Sequence, residues 1–443
     1  MRTAPPFLSW SRHAALSAGI ALGLCLLAPG TSGAMTLNEA LQRVADANRE
    51  VASARRAVQA AQADVQTARV TPPPQLSVLS QAINPQNMGH GGLWSRPIDT
   101  IVRLDQPIER GHKRELRSQA AQAAQRAADA ELARTVLAQQ QTAAQAYWDL
   151  KLAQVRRDIA QRNADISLAS SKLAQERLKQ GDLSRLEATR LAVEAERAAS
   201  ELGASEQQWQ EARWALARLL SVGAAASPQT MPRQADLPDA SQAWPDAAQA
   251  SVAASDSQDH GDGEAWLSRR ADVQAAQQRL EQADAAVALA QAQTSADVTV
   301  SVQFEHYPPT GERMWGVGLA IPLGMEGRQQ GPLARALVAQ ADAQSALERV
   351  RADALAEQAV LRSALRTAGA RAERLRQHLL PQAQDAVKAT EFARWQGAMA
   401  LQDVLDARRV AHTAELDTAQ AQADFAKALS RLTLIQDPSV PTP

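Results

Sequence analysis

Residues 37–68 read LNEALQRVADANREVASARRAVQAAQADVQTA; Leu37, Val44, Val51, Val58 and Val65 recur every seven residues, each followed three positions later by Ala40, Ala47, Ala54, Ala61 and Ala68. A sustained heptad of this kind predicts helices packed side by side through small residues. The rhythm restarts downstream, where Val273, Leu280 and Val287 pair with Ala276, Ala283 and Ala290, so that Val51 maps onto Val273 by adding 222. A second pair of segments agrees: Leu191, Ala198, Leu202, Ser205, Trp209, Leu216 and Leu219 map onto Ala407, Ala414, Thr418, Ala421, Phe425, Leu432 and Ile435 by adding 216. The chain is written twice, and internal duplication says more about architecture than any single motif.

Composition fits. Of 443 residues only 3% are aromatic, and alanine, glutamine, arginine and leucine dominate, which suits long, closely packed helices and predicts an elongated shape. A formal net charge of -1 carries no nucleic-acid signal. At the N-terminus Arg2, Arg12 and His13 precede an apolar run from Ala14 to Leu27, then Pro29, Gly30 and the small residues Ser32, Gly33 and Ala34. This predicts a secretory signal peptide over residues 1–34, cleaved after Ala34. The alternative, a membrane anchor, meets an apolar run shorter than the ~20 residues a spanning helix needs. The one cysteine, Cys25, lies inside that run and invites a reading as a lipid-modified cysteine. Leu24 departs from the small residue that lipoprotein processing sites carry there, and a mature chain without Cys25 has no thiol or disulfide.

Two shorter regions follow a different period. Val298, Val300, Val302 and Phe304 alternate with Thr299, Ser301, Gln303 and Glu305, a two-faced strand. Its partner alternates Trp315, Val317, Leu319, Ile321 and Leu323 with Gly316, Gly318, Ala320 and Pro322, across a turn at Pro308, Pro309, Thr310 and Gly311. The first copy is less regular, with Leu76, Val78 and Leu79 in one strand and Ile101, Val102, Leu104 and Ile108 in the next. A longer surface loop rich in Gly and Pro, Asn84 to Pro97, joins them. Gln106-Pro107-Ile108 followed by Gly111 answers Ile321-Pro322-Leu323 followed by Gly327.

After each hairpin a very long helix is expected, from about Lys113 to Gln180 and from about Leu333 to Gln396, each roughly 100 Å at 1.5 Å per residue. Leu152, Ile159, Ile166 and Leu173 repeat every seven residues in the first. Pro381 is expected to kink the second. Gly181 and Gly397 end these rods, being suited to the left-handed conformation that terminates a helix, and a returning helix follows each. The domains so read are a first repeat over 35–222, a linker over 223–264, a second repeat over 265–436 and a C-terminal tail over 437–443. The linker is rich in Ala, Ser, Pro and Asp; Trp244 is a place for local structure, but no element is assigned there.

Four strands cannot close a membrane barrel, because edge strands leave backbone groups unpaired in lipid. Three copies would supply twelve strands, an even number in the range of outer-membrane barrels. Val298, Val300, Val302, Phe304, Trp315, Val317 and Leu319 would face lipid, and Thr299, Ser301, Gln303 and Glu305 a wet lumen. The same assembly would bundle twelve helical strands into a tube. A plain coiled-coil scaffold is the bland alternative, and export together with two alternating hairpins is not its pattern.

Here the order of elements resembles the TolC family of outer-membrane efflux proteins, over essentially the whole mature chain. The residues that carry the resemblance are Thr36-Leu37-Asn38-Glu39-Ala40-Leu41, the Pro-ended strands, Arg270-Ala271-Asp272-Val273, and above all Gly397 with Leu401, Asp403, Val404, Leu405, Asp406 and Ala407. It implies a mainly α fold with a small β part, internally duplicated, with long coiled-coil helical hairpins and four β-strands per chain. It also implies a homotrimer: a 12-stranded barrel in the bacterial outer membrane and an α-helical tunnel through the periplasm. The implied role is exit duct of a tripartite system, fed by an inner-membrane resistance-nodulation-division pump and a periplasmic adaptor, with no catalytic site and no cofactor. Within the family, Gln106-Pro107-Ile108-Glu109-Arg110-Gly111-His112-Lys113-Arg114, Gly181-Asp182-Leu183-Ser184-Arg185-Leu186-Glu187 and Arg328-Gln329-Gln330-Gly331 resemble the cobalt-zinc-cadmium branch. That branch points to divalent heavy-metal cations. The same duct serving drug efflux, or protein secretion through an ABC exporter, is the near alternative; a periplasmic adaptor is the alternative from another class.

By the same resemblance, acidic side chains line the periplasmic entrance of the tunnel. Asp403 and Asp406 stand there, three residues apart and so on one helical face, and three chains would make a ring of six carboxylates that favours cations. Glu187 holds the equivalent place beside the first tip, with Arg185 and Arg190 nearby for ion pairs between neighbouring chains. Met399 stands where the best-known family pattern has a basic residue, so an arginine latch is not expected at that position. The tips, Gly181, Asp182, Leu183 and Ser184, and Gly397, Ala398, Met399 and Ala400, are the expected docking points of the adaptor. His260 among Asp256, Asp259, Asp262 and Glu264, and Met88 near His90, lack a recognised ligand spacing; they read as solvated loops, and no metal site is expected.

Overall fold

The computed structural model describes residues 34–81, 83, 98–221, 237–246, 263–307, 312–323 and 325–436. Residues 1–33 with Cys25, the Asn84–Pro97 loop with Met88 and His90, the turn 308–311, the linker acids Asp256, Asp259 and Asp262 with His260, and the tail 437–443 lie outside them. In chain order the elements are β1 (Ala34–Met35), α1 (Leu37–Ala47), α2 (Arg49–Ala68), β2 (Gln75–Gln81), β3 (Asp99–Ile108), α3 (Lys113–Gln180) and α4 (Arg185–Leu219). There follow β4 (Asp239–Ala240), α5 (Gly263–Arg269), α6 (Ala271–Ala292), β5 (Val298–Tyr307), β6 (Glu312–Ala320), α7 (Met325–Arg374), α8 (Leu380–Trp395) and α9 (Leu401–Gln436). Among the described residues no helix is long and apolar enough to cross a membrane.

The opening heptad forms two helices, not one. Its stripe, Leu37, Val44, Val51, Val58 and Val65, is buried throughout, but the backbone leaves the helix at Asn48, with φ -66 and ψ 138. The Asn48 side chain accepts from the N–H groups of Glu50 and Val51 and donates to the Leu219 carbonyl at 3.1 Å, which fastens α2 to α4. Adding 222 to 48 gives Arg270, where the second copy breaks in the same way at φ -64 and ψ 133. The apolar stripe runs on across both breaks, so periodicity conceals them. Asn48→Ala is expected to cost about 1–2 kcal/mol, seen as a lower unfolding midpoint, because two helix-terminal donors lose their acceptor.

The rods behave unequally. The first, α3, is an unbroken helix of 68 residues. The second begins at Met325, earlier than Leu333, with Pro332 inside it. Gly327, Gly331 and Pro332 are poor helix formers that mask this start, yet a proline there removes one donor near the helix end. Before Pro381 the helix widens into a π-turn, Leu375–Leu379, where the Leu380 N–H bonds the Leu375 carbonyl. The expected distortion therefore takes the form of an extra residue in the turn, which lets the helix pass a proline without ending. Both rods stop as their glycines dictate: Gly181 has φ 84 and Gly397 φ 76. The Asp182 N–H reaches the Arg177 carbonyl and the Ala398 N–H the Ala393 carbonyl, both at 2.9 Å, the same closing bond in both copies.

The two strand pairs form one antiparallel sheet in the order β2-β3-β5-β6. The joining contact is β3 against β5, with Val102 opposite Phe304 and Leu104 opposite Val302. Among the described residues the sheet therefore has two unpaired edges, β2 and β6.

Both copies meet in a core at mid-length, where Leu37, Ala40, Leu41 and Val44 pack with Ala143, Tyr147, Trp148, Leu150, Leu216, Ala426 and Leu434. Against it lies the middle of the linker, for which the sequence indicates no element. β4 pairs in parallel with β1. Trp244 stacks on Trp148 with ring centroids 5.6 Å apart, and Arg213 donates to the carbonyls of Leu237 and Pro238. The Tyr147 hydroxyl donates to the Met35 carbonyl and accepts from the Gln242 N–H, and burial pushes its pKa up. These contacts come from residues far away in sequence, so a local reading of a polar, non-repeating segment cannot find them.

Candidate functional site

Two regions carry the residues singled out from the sequence, the sheet and the helix tips. Cross-strand pairing fixes which side chains share a face of the sheet. Phe304 lies opposite Trp315, Val302 opposite Val317 and Val300 opposite Leu319, and on β3 Val102, Leu104 and Ile108 join them. Leu76 and Val78 of β2 extend the same face. It is apolar and open: Trp315 is 75% exposed, Val317 82% and Leu319 66%. The seven residues expected on a lipid-facing wall, Val298, Val300, Val302, Phe304, Trp315, Val317 and Leu319, thus occur together on one face. Leu79 and Ile101, paired with each other, fall on the other face.

That other face carries Thr299, Ser301, Gln303 and Glu305 with Asp99, Arg103 and Asp105, and Arg103 pairs with Asp105 at 2.7 Å. A Cβ on Gly316 would come within 2.8 Å of the Gln303 side chain, and one on Gly318 within 2.4 Å of the Ser301 hydroxyl oxygen. The glycines alternating along β6 therefore let polar side chains lie flat across the neighbouring strand, a role the sequence pattern does not disclose.

Beneath the sheet, the 106–114 motif acts as a fastening. Lys113 donates from Nζ to the Ser295 carbonyl at 2.6 Å and to Asp297 at 2.8 Å. Arg117 donates to Glu109 and to the carbonyls of Ala68 and Val70, and its bond with Glu109 raises its pKa further. These bonds join the sheet to α2, α3 and α6.

At the tips, Gly181, Asp182, Ser184, Gly397, Ala398, Met399 and Ala400 are exposed and Leu183 is half-buried. The Ser184 hydroxyl accepts from the Glu187 N–H and donates to the Glu187 carboxylate. Glu187 also lies 3.8 Å from Arg394 of the same chain. Adding 216 to Ser184 gives Ala400, which has no hydroxyl; there Asp403 accepts from the Ala400 N–H at 3.2 Å. Asp406 pairs with Arg409 at 3.3 Å. Asp403 and Asp406 are both exposed while Leu401, Val404 and Leu405 between and beside them are buried. Arg185 and Arg190 are exposed and form no ion pair among the described residues.

Further along the helices, α4 and α9 are bridged by pairs that sequence reasoning missed. Arg409 reaches Glu194 at 2.8 Å and His412 reaches Glu201 at 2.8 Å. They flank a cavity of about 330 Å³ that Asn163, Ser167 and Ser170 of α3 also line. Adding 216 to Glu194 gives Val410, so the duplication holds no trace of the bridge. The Arg409 hydrogen bond holds the Glu194 carboxyl below its ordinary range. A depressed carboxylate contributes stability at neutral pH and loses it as pH falls through its folded pKa. Arg409→Gln should thus cost at most about 1 kcal/mol at pH 7, in a half-exposed pair, and progressively less as pH falls through the folded pKa of Glu194. Chemical denaturation along a descending pH series measures the difference. Among the described residues no group of three or more His, Cys, Asp or Glu is placed to hold a metal ion.

Comparison with known proteins agrees with this architecture. A membrane protein from Pseudomonas aeruginosa superposes with a TM-score of 0.71 at 20% identity, covering 90% of this chain and 93% of its own. The outer membrane protein VceC of Vibrio cholerae gives 0.68 at 20% identity, covering 90% and 95%. The Campylobacter jejuni CmeC outer membrane channel gives 0.71 at 15% identity, covering 99% and 96%. No curated protein sequence matches the chain. The family described as Outer membrane efflux protein matches residues 40–222 and 264–436, the two repeats with the linker left out. The chain therefore belongs to the outer membrane efflux protein family, which makes it a transport channel of the outer membrane and not an enzyme.

Proposed function

We propose that three copies of this chain form an exit duct: a 12-stranded barrel in the outer membrane continued by an α-helical tunnel into the periplasm. The observation that carries this is a four-stranded sheet with two open edges and one exposed apolar face, mounted on helical hairpins. Pairing each open edge with that of the next chain removes both edges, which a sheet in lipid requires. The heptad of α3 supports the same assembly: Leu152 and Ile159 are buried within one chain, whereas Ile166 and Leu173 are half exposed and await neighbours.

In this reading residues 1–34 are a cleaved signal peptide. The tips Gly181 to Ser184 and Gly397 to Ala400 receive a periplasmic adaptor, and an inner-membrane resistance-nodulation-division pump supplies the energy. Asp403 and Asp406, with Glu187, Arg185 and Arg190, set the charge of the entrance. Asp403 uses one acceptor position on the helix start and stays exposed, which leaves room for a ring of carboxylates favouring cations. The cargo proposed is divalent heavy-metal cations, on the branch-like motifs at 106–114, 181–187 and 328–331. Deleting the gene and scoring zinc, cobalt, cadmium and drug sensitivity tests this; unchanged tolerance to all of them would sink efflux as the main role. Hypersensitivity to drugs alone would move the cargo away from metals. Purified protein that is monomeric and gives no conductance in planar bilayers would refute the duct.

A further inference from the structure

Pairing register sorts charge across the sheet in a way that alternation alone cannot. His306 lies directly opposite Arg313 and next to the Phe304–Trp315 pair along the strands. Alternation puts both on the apolar face, with Thr100 beside them on β3. Among the described residues of the sheet, Asp99, Asp105, Glu305 and Glu312 all fall on the opposite face. The apolar face therefore carries the Arg313 guanidinium and the His306 imidazole at one end and, among the described residues, no carboxylate. Arg313 is exposed and forms no ion pair among the described residues.

The position of this row matters. From Val298 to Phe304 the apolar face runs six residue steps, roughly 20 Å along the strand and roughly 15 Å along the membrane normal at the tilt of a barrel strand, more than half of the ~25 Å apolar band of an outer-membrane barrel. The row of His306 and Arg313 lies just past it, at the end remote from the helices, directly above an aromatic pair with ring centroids 5.1 Å apart. Aromatic rings sit at the level where hydrocarbon gives way to headgroups. An outward guanidinium one row beyond them stands at the height of the headgroup phosphates, and its planar donors match a phosphate in two parallel bonds.

We propose that Arg313 forms an outward-facing site for a phosphate group of an anionic glycolipid in the outer leaflet. It rests on the reading above that the apolar face meets lipid. The acids at the same level point the other way, so the wall repels no phosphate on its outer side while keeping negative charge toward the lumen. Each chain supplies one such site.

Native mass spectrometry of the purified trimer in detergent tests it, using bisphosphorylated lipid A, the same lipid after removal of its phosphates, and inorganic phosphate as probes. Arg313→Gln is expected to bind bisphosphorylated lipid A about tenfold more weakly, the worth of one charge-assisted hydrogen bond lost. Arg313→Lys should fall between, and the dephosphorylated lipid should bind wild type as weakly as the phosphorylated lipid binds Arg313→Gln. Undiminished binding by Arg313→Gln, or equal binding of lipid with and without phosphate, would overturn the proposal. Inorganic phosphate binding as tightly as the lipid would do so too. Val317→Arg separates the two readings. If it inserts normally, the apolar face does not meet lipid and both fail; if it is excluded while Arg313→Gln binds like wild type, the phosphate site alone fails.

Discussion

Trp148→Ala is expected to destabilise the protein by about 3–5 kcal/mol, the range for removing a fully buried tryptophan. Trp148 is 1% exposed. Its Nε1 donates to the Ser430 hydroxyl at 2.8 Å, across the boundary between the repeats, and its ring stacks on Trp244 of the linker. Alanine would leave a cavity where the two copies and the linker meet, and would leave the hydroxyl of Ser430, itself buried, without this partner. Trp148→Phe keeps most of the buried area but loses the N–H bond, so it should cost less, about 1–2 kcal/mol. Equilibrium denaturation of the detergent-solubilised protein compares the two. An unchanged midpoint for Trp148→Ala would show that the two repeats are not held together there.

Val317→Arg is the second large expectation. A lipid-facing arginine at the middle of a barrel wall costs about 2–4 kcal/mol, and a trimer carries it three times. Val317 is 82% exposed and lies opposite Val302, in the middle of the apolar face. The variant should accumulate outside the outer-membrane fraction and yield little heat-modifiable trimer, whereas Val317→Leu should assemble like wild type. Normal assembly of Val317→Arg would mean that this face meets protein or water.

Most of the architecture was legible before any coordinates. Heptads at 37–68 and alternation at 298–305 are signals averaged over many residues, so they survive local exceptions. Gly181 and Gly397 could be read singly because a helix that ends in the left-handed region strongly selects glycine. The breaks at Asn48 and Arg270 were not legible, since one extended residue leaves the apolar stripe nearly in phase. Apart from Trp244, marked as a place for local structure, the linker from Leu237 to Asp246 was not legible for the opposite reason: it has no period of its own and is ordered by Arg213, Tyr147 and Trp148.

The candidate site divides along the same line. Which strand residues alternate, and that Asp403 and Asp406 share a helical face, follow from periods of about 2 and 3.6 residues. That Asp403 closes the start of α9 and that Glu194 and Glu201 bridge to Arg409 and His412 do not. The sequence by itself determined the duplication, the helical hairpins and the two-faced strands, because each depends on residues close together along the chain. Only the tertiary structure decided which strands join into one sheet, what holds the linker and which charges pair. Those outcomes depend on contacts between residues up to hundreds of positions apart, where pairing register and side-chain reach, not period, set the partner.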